Sequence, residues 1–185
     1  EILSSVCRSQ LPQIKKVEFN VETQSLGENG APIMITQSEY MRRMKEMANI
    51  QAGMSFYGEM PNMYNLVLNA DHKLVKQVLT DAGNSCKAAL EPIESEMANL
   101  NNRRKELQKA QEGKKTEDIP QAEKDELNDI EKKISDETTK KQAVLGEYAN
   151  GNKIIHQLID LALLQNNMLK GEALTNFVKR SIELI

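Results

Sequence analysis

The chain has 185 residues and a mass of 20.9 kDa, enough to bury a sizeable core in one domain or in one domain carrying an insertion. Its 24 basic and 27 acidic groups leave a net charge of -3, which excludes the basic footprint of a nucleic-acid binder. No apolar run of about 18 residues exists to cross a bilayer, and two cysteines without C-x-x-C spacing give neither a metal site nor a disulfide framework, so a cytoplasmic setting with no membrane partner is expected.

The opening "EILSSVCRSQ" carries neither an initiator Met nor a signal peptide, and is expected to continue from a longer chain. "KKVEFNVET" then alternates Val17, Phe19 and Val21 with polar neighbours, the period of a half-buried strand. "PIMITQ" predicts a second strand beyond the turn-rich "SLGENGA", whose Asn29 and Gly30 suit a reversal, so the two strands are expected to pair as a hairpin. Thr36 and Glu39 fit a capping box, with Ser38 as a rival cap, for a helix running to about Ala52. On that helix Tyr40, Met41, Met44, Met47 and Ala48 share one face, and Arg42, Arg43, Lys45 and Glu46 cover the other.

Six of the nine methionines fall between Glu39 and Met63. Composition favours a methionine-bearing core helix. The neighbouring "MSFYGEMPNM", bracketed by Gly53, Gly58 and Pro61, favours a soft surface that fits varied partners, because unbranched, polarizable Met adapts its shape. Both remain open at the level of composition. "YNLVLN" predicts a third strand, and "NADHKLVKQVLTDAG" a helix capped by Asn69 or Asp71, with Leu74, Val75, Val78 and Leu79 on one face and Gly83 beyond its end.

Residues 84–150 differ in character, with 12 of the 24 basic and 15 of the 27 acidic groups and a single aromatic, Tyr148. Leu90, Ile93, Met97, Leu100 and Leu107 follow alternating spacings of three and four, interrupted by Arg104. Leu127, Ile130, Ile134, Val144 and Tyr148 repeat the pattern with Glu137 and Lys141 on the seam, and "EGKKTEDIP" separates the two runs. An antiparallel helical hairpin is predicted, its outside either a solvated charged face or a docking arm.

The last segment is densely apolar. "KIIHQLIDLALLQNNMLKG" presents Ile154, Ile155, Leu158, Ile159, Leu161, Ala162 and Leu164, and is expected to stop at Gly171. "ALTNFVKRSIELI" aligns Leu174, Phe177, Val178, Ser181, Ile182 and Ile185. Two such helices cover one face of each other. The remainder is expected either to pack on the same domain or to pair with a second copy in a four-helix bundle.

No glycine-rich phosphate loop, G-x-S-x-G elbow or H-E-x-x-H element appears, and the chain is not expected to be an enzyme by itself. His72 and His156 lack ligand-spaced partners. Asp71 reads as helix-start chemistry, and Asp160, four residues after His156, as a partner in a surface hydrogen bond.

Taken in order, "ITQSEYMRRMKEMANIQAG", "NMYNLVLNADHKLVKQVL" and "IIHQLIDLALLQNNMLKGEALTNFVKRSIELI" resemble the C-terminal domain of the ninety-kilodalton heat-shock chaperone family, in its bacterial HtpG-type branch. The resemblance covers residues 1–83 and 151–185. It implies an α+β domain in which a small three-stranded sheet is covered by helices and the last helices form a homodimeric four-helix bundle. On this chain it assigns Ile154, Leu158, Leu161, Ala162, Phe177, Val178 and Ile182 to the dimer seam. The amphipathic helix that contacts unfolded client proteins in that family maps to Tyr40, Met41, Met44, Met47 and Ala48. ATP and magnesium are expected in an N-terminal domain that this chain lacks. The charged insertion, residues 84–150, has no counterpart in the family pattern, and the acidic Met-Glu-Glu-Val-Asp tail of eukaryotic cytosolic members is missing at the end of the chain. The competing expectation is a coiled-coil adaptor acting through the insertion. Deleting 84–150 discriminates, since under the chaperone reading the remainder is expected to fold and dimerise without it.

Overall fold

The computed structural model describes residues 1–48, 60–113 and 119–183. The chain is α+β, and among these residues lie six helices and one three-stranded sheet. The strands are Val17–Gln24 (β1), Ile33–Gln37 (β2) and Asn62–Asn69 (β3).

β1 and β2 do not form the expected hairpin. The sheet order is β1-β3-β2, with β3 parallel to β1 and antiparallel to β2, so that Leu66 faces Val21 on one side and Ile35 on the other. Alternation identifies a strand without naming its partner. The discriminating feature is that Leu66, Val67 and Leu68 are consecutive and all buried, the mark of a strand enclosed on both faces and hence central, whereas β1 alternates and lies at an edge.

The opening segment contains a helix that the sequence pattern left unassigned, Ile2–Arg8 (α1), whose Leu3, Val6 and Cys7 pack into the core. Glu39–Ala48 (α2) follows β2 directly. Thr36 is still in β2, opposite Asn65, so the proposed capping box does not form. The carbonyl of Ser38 accepts the Arg42 N–H at 3.0 Å. The expected helix end near Ala52 lies outside the described residues.

Lys73–Gln111 (α3) passes through Gly83, where a stop was expected. Ala82, Cys86 and Leu90 recur every four residues on the buried face. Their packing outweighs the roughly 1 kcal/mol that an interior glycine costs a helix. The cap is neither Asn69 nor Asp71 but His72, whose Nδ1 accepts the Leu74 N–H at 3.2 Å.

Gln121–Gly151 (α4) returns along α3. Arg103 meets Glu126 at 2.7 Å and Lys141 meets Glu94 at 2.9 Å, a pairing that makes the two helices antiparallel, as the hairpin pattern predicted. Their apolar contacts fall into two clusters. Leu90, Leu145 and Ala149 at the root join the main core, and Leu100, Leu107 and Ile130, with Ile134 against them, form a separate distal one. Between the two, Lys141 is buried.

Asn152 caps Lys153–Gln165 (α5) by accepting the N–H groups of Ile154 and Ile155 at 3.0 and 3.1 Å, and its Nδ2 donates to the Tyr148 hydroxyl at 2.8 Å. α5 ends before the expected Gly171. Asn166 donates to the Ala162 carbonyl at 2.9 Å, and Asn167 takes a left-handed φ of 57°, which Asn tolerates better than most residues. Gly171–Glu183 (α6) completes the described chain. α1, one sheet face, the first part of α3, the end of α4 and most of α5 close on a single core centred on Val6, Leu66, Leu68, Leu145, Ile155, Ile159 and Leu163.

Candidate interaction surfaces

The terminal helices divide their apolar residues between two destinations. Ile155, Leu158, Ile159, Ala162 and Leu163 of α5 face the protein's own core. α6 has no fully buried residue: Leu174 and Phe177 rest half-buried against that core, while Val178 and Ile182 are 49% and 70% exposed. Leu161, on the outer side of α5, is 38% exposed. The seven residues expected at a seam therefore separate. Leu161, Val178 and Ile182 present apolar surface, Ile154 and Phe177 are partly covered, and Leu158 and Ala162 lie inside this chain's core.

Polar contacts join α6 to α5. The Arg180 guanidinium pairs with the Asp160 carboxylate through Nη2 and donates from Nε to Gln157 Oε1 at 3.2 Å. Gln157 Nε2 donates to Ser181 Oγ at 2.6 Å, and Lys153 meets Glu183 at 2.7 Å. Burial raises the Asp160 pKa above the ordinary carboxylate value, with Arg180 opposing the shift. The expected His156 to Asp160 hydrogen bond is not made: Asp160 belongs to Arg180, and His156 Nε2 lies 3.2 Å from the Asn150 carbonyl.

A second surface lies on α2. Tyr40 and Met47 are 66% and 42% exposed, Met41 and Met44 are half-buried, and Ala48 is buried. None of the three methionines belongs to the main core cluster. On the opposite side Glu39 receives Arg42 and Arg43, whose hydrogen bonds hold its pKa down at about 2. Lys45 ties the helix to the start of β3, its Nζ donating to the Met60 carbonyl at 2.5 Å and to Asn62 Oδ1 at 2.7 Å. The stretch "MSFYGEMPNM" falls mostly outside the described residues.

The junction after β3 supports the sheet. Asn69 is fully buried; its Oδ1 accepts from Leu26 N and Asp71 N, each at 3.1 Å, and its Nδ2 donates to the Gly27 carbonyl at 2.9 Å. Asp71 Oδ2 accepts from the Ser25 hydroxyl at 2.5 Å and from Gly27 N at 2.8 Å. Together they hold the β1–β2 loop in place. Gly30 has no room for a side chain, since a Cβ there would sit 2.7 Å from the Leu26 carbonyl oxygen. The sequence pattern read Asn69 and Asp71 as alternative helix caps and missed this role.

Among the described residues no group of three metal-ligating side chains converges, and no helix is long and apolar enough to cross a membrane. Cys7 is buried and its thiol pKa is pushed up to about 12 by desolvation.

No family model matches the chain, and no solved structure matches it. Curated relatives do. The chain is 68% identical over all 185 residues to a protein named Chaperone protein HtpG from Bacteroides fragilis, and 65% identical over the same length to its namesake from Bacteroides thetaiotaomicron. A Porphyromonas gingivalis protein of the same name is 44% identical over 99% of the chain. The chain spans 27% of the length of each. These matches run through residues 84–150, so the charged insertion, expected to be without a counterpart, has one in these relatives. Arm included, the chain is thus similar along its whole length to one stretch of proteins named Chaperone protein HtpG.

Proposed function

We propose that this chain is the homodimerisation and client-contact segment of a cytoplasmic HtpG chaperone, and that it acts by binding without covalent chemistry. The observation that carries the proposal is the exposed apolar face of Leu161, Val178 and Ile182 on two adjacent helices. Each such side chain gains about 1.5–3 kcal/mol when fully buried. A second copy of the same two helices covers the face symmetrically as a four-helix bundle, with Ile154 and Phe177 at its margin. Binding and hydrolysis of ATP with magnesium are assigned to parts of the chaperone outside this chain. Dimerisation then raises the effective concentration of those parts for one another.

The client surface in this reading is the α2 face of Tyr40, Met41, Met44 and Met47, bordered by the buried Ala48, with Tyr40 and Met47 most open to contact. Unfolded proteins present no fixed shape, and methionine accommodates many. The match of arm and flanks together to named chaperones favours this reading over a coiled-coil adaptor.

Sedimentation equilibrium of the chain and of its Val178→Asp, Ile182→Asp variant tests the seam. The expected result is a dimer that becomes a folded monomer. A variant that stays dimeric would move association to another surface and overturn the assignment.

A further inference from the structure

A 13-residue helix with no fully buried side chain is marginal unless something holds it, and α6 is such a helix. Its apolar hold on the body is limited to the half-buried Leu174 and Phe177. The polar contacts to α5 are better defined. Arg180 grips Asp160 and Gln157 with different nitrogens; Gln157 then turns its amide to Ser181 Oγ, and the Ser181 hydroxyl donates to the Phe177 carbonyl at 2.9 Å. Asp160, Arg180, Gln157 and Ser181 thereby form a continuous chain of polar contacts across the two helices, and the Arg180 and Asp160 side chains are only 17% and 21% exposed.

Helical geometry gives these contacts a directional consequence. At about 100° per residue, Arg180, Phe177, Ser181 and Leu174 occupy one side of α6, turned towards α5. Val178 and Ile182 lie next to that side, turned outward. Rotating α6 about its own axis by about one residue's angle would tuck Val178 and Ile182 against α5 and expose Arg180 and Ser181 together with Leu174 and Phe177. Burial of apolar surface does not decide between the two settings, because Val178 and Ile182 would only replace Leu174 and Phe177. Leaving Arg180, Asp160 and Gln157 without partners in a half-buried position opposes the rotation.

We infer that Gln157, Asp160, Arg180 and Ser181 act as a rotational lock on α6, which keeps Val178 and Ile182 outward and pre-formed for a second copy of the chain. The inference rests on the dimer reading above and concerns how the seam is prepared. These four are positioning residues: their polar contacts decide which apolar pair of α6 faces outward. Pre-organisation of this kind removes an ordering cost from association.

Three measurements on the full-length chaperone test it. In the dimer dissociation constant, Arg180→Met is expected to weaken association about tenfold or more, with Arg180→Lys in between because lysine keeps the charge and lacks the fork. Asp160→Asn combined with Arg180→Met is expected to cost little more than either alone, because the two work as one unit; full additivity would overturn the lock. In the monomeric Val178→Asp, Ile182→Asp background, Arg180→Met is expected to speed amide exchange across residues 177–183, and unchanged exchange would overturn it too. Ser181→Ala, a milder change, covers the case in which Arg180→Met fails to fold. It is expected to move each readout in the same direction, and no movement counts against the lock. A wild-type protein that is monomeric removes the dimer reading itself. A wild-type dimer that the Val178→Asp, Ile182→Asp pair dissociates, but that Arg180→Met leaves at full affinity, removes the lock alone.

Discussion

Lys141 places its Nζ 2.9 Å from Glu94 and 3.1 Å from Glu1, joining both helices of the arm to the start of α1. Desolvation pulls its pKa down, but hydrogen bonds to the two carboxylates outweigh that and leave it raised, so the buried ammonium stays charged. It interrupts an apolar seam. Lys141→Met, of similar length, is expected to leave the thermal midpoint unchanged or higher, because a methionine connects the two clusters and both carboxylates are exposed enough to return to water. Lys141→Glu is expected to cost about 3 kcal/mol or more, as an unpaired buried charge facing other acids. Thermal unfolding followed by circular dichroism reads both, and a large loss in the Met variant would contradict the argument.

Asp71 gives the β1–β2 loop an acid sensitivity. Hydrogen bonds from Ser25 and Gly27 lower its pKa below the ordinary 3.8. A carboxylate depressed in the folded state contributes stability that is present above that ordinary value and lost as pH falls through the folded value. The protection factor of the Gly27 amide, relative to its intrinsic exchange rate, is therefore expected to fall on acidification below about pH 4, and Asp71→Asn to remove this pH dependence. An unchanged acid limb in the variant would sink the prediction.

Deleting residues 84–150 is expected to abolish the fold, contrary to the simplest expectation for an insertion. Cys86, Leu90, Leu145 and Ala149 within that stretch are buried in the main core, and losing a single buried leucine already costs about 2–5 kcal/mol. Replacing only residues 98–137 with a short glycine-containing turn removes the distal cluster and spares these four. That shorter protein is expected to unfold cooperatively near the wild-type temperature, as calorimetry would show.

The exposure of α2 sharpens the choice of variants. Tyr40→Glu with Met47→Glu alters the two open positions and is expected to change stability by no more than about 0.5 kcal/mol each, while weakening suppression of client aggregation by the full chaperone. Equal substitutions at the half-buried Met41 and Met44 test function less cleanly. Under mild peroxide Met47 is expected to oxidise before Met97 and Met168, which are less exposed. The reverse order in mass mapping would place the stripe in a core.

Elements governed by local period were legible in the sequence. Val17, Phe19 and Val21 announce β1, and the leucine spacings from Leu90 onward announce the arm. Decisions made by distant partners were not. Gly83 has the local chemistry of a helix end, and only the core contacts of Ala82, Cys86 and Leu90 carry α3 past it. Asn69 reads as a cap until the loop folded onto it is seen. The division of Leu158 and Ala162 from Leu161 was hidden for a simpler reason. α5 is apolar on more than one face, so spacing cannot tell which face meets the body of the protein and which meets solvent.

The arm also changes the order in which the chain can assemble. β3 lies between β1 and β2, so neither outer strand has a partner until residue 69 has been made. The sheet then waits again, because Leu145, Ile155, Ile159 and Leu163, which seal its core, come much later in the chain. Closing so long a loop as a random coil is slow. The helical hairpin replaces that search with zipping along neighbouring turns, and delivers Leu145 beside Leu90 as its last step. In the folded chain the charged arm thereby returns Leu145 and the helices that follow it to the sheet from which Leu90 departs.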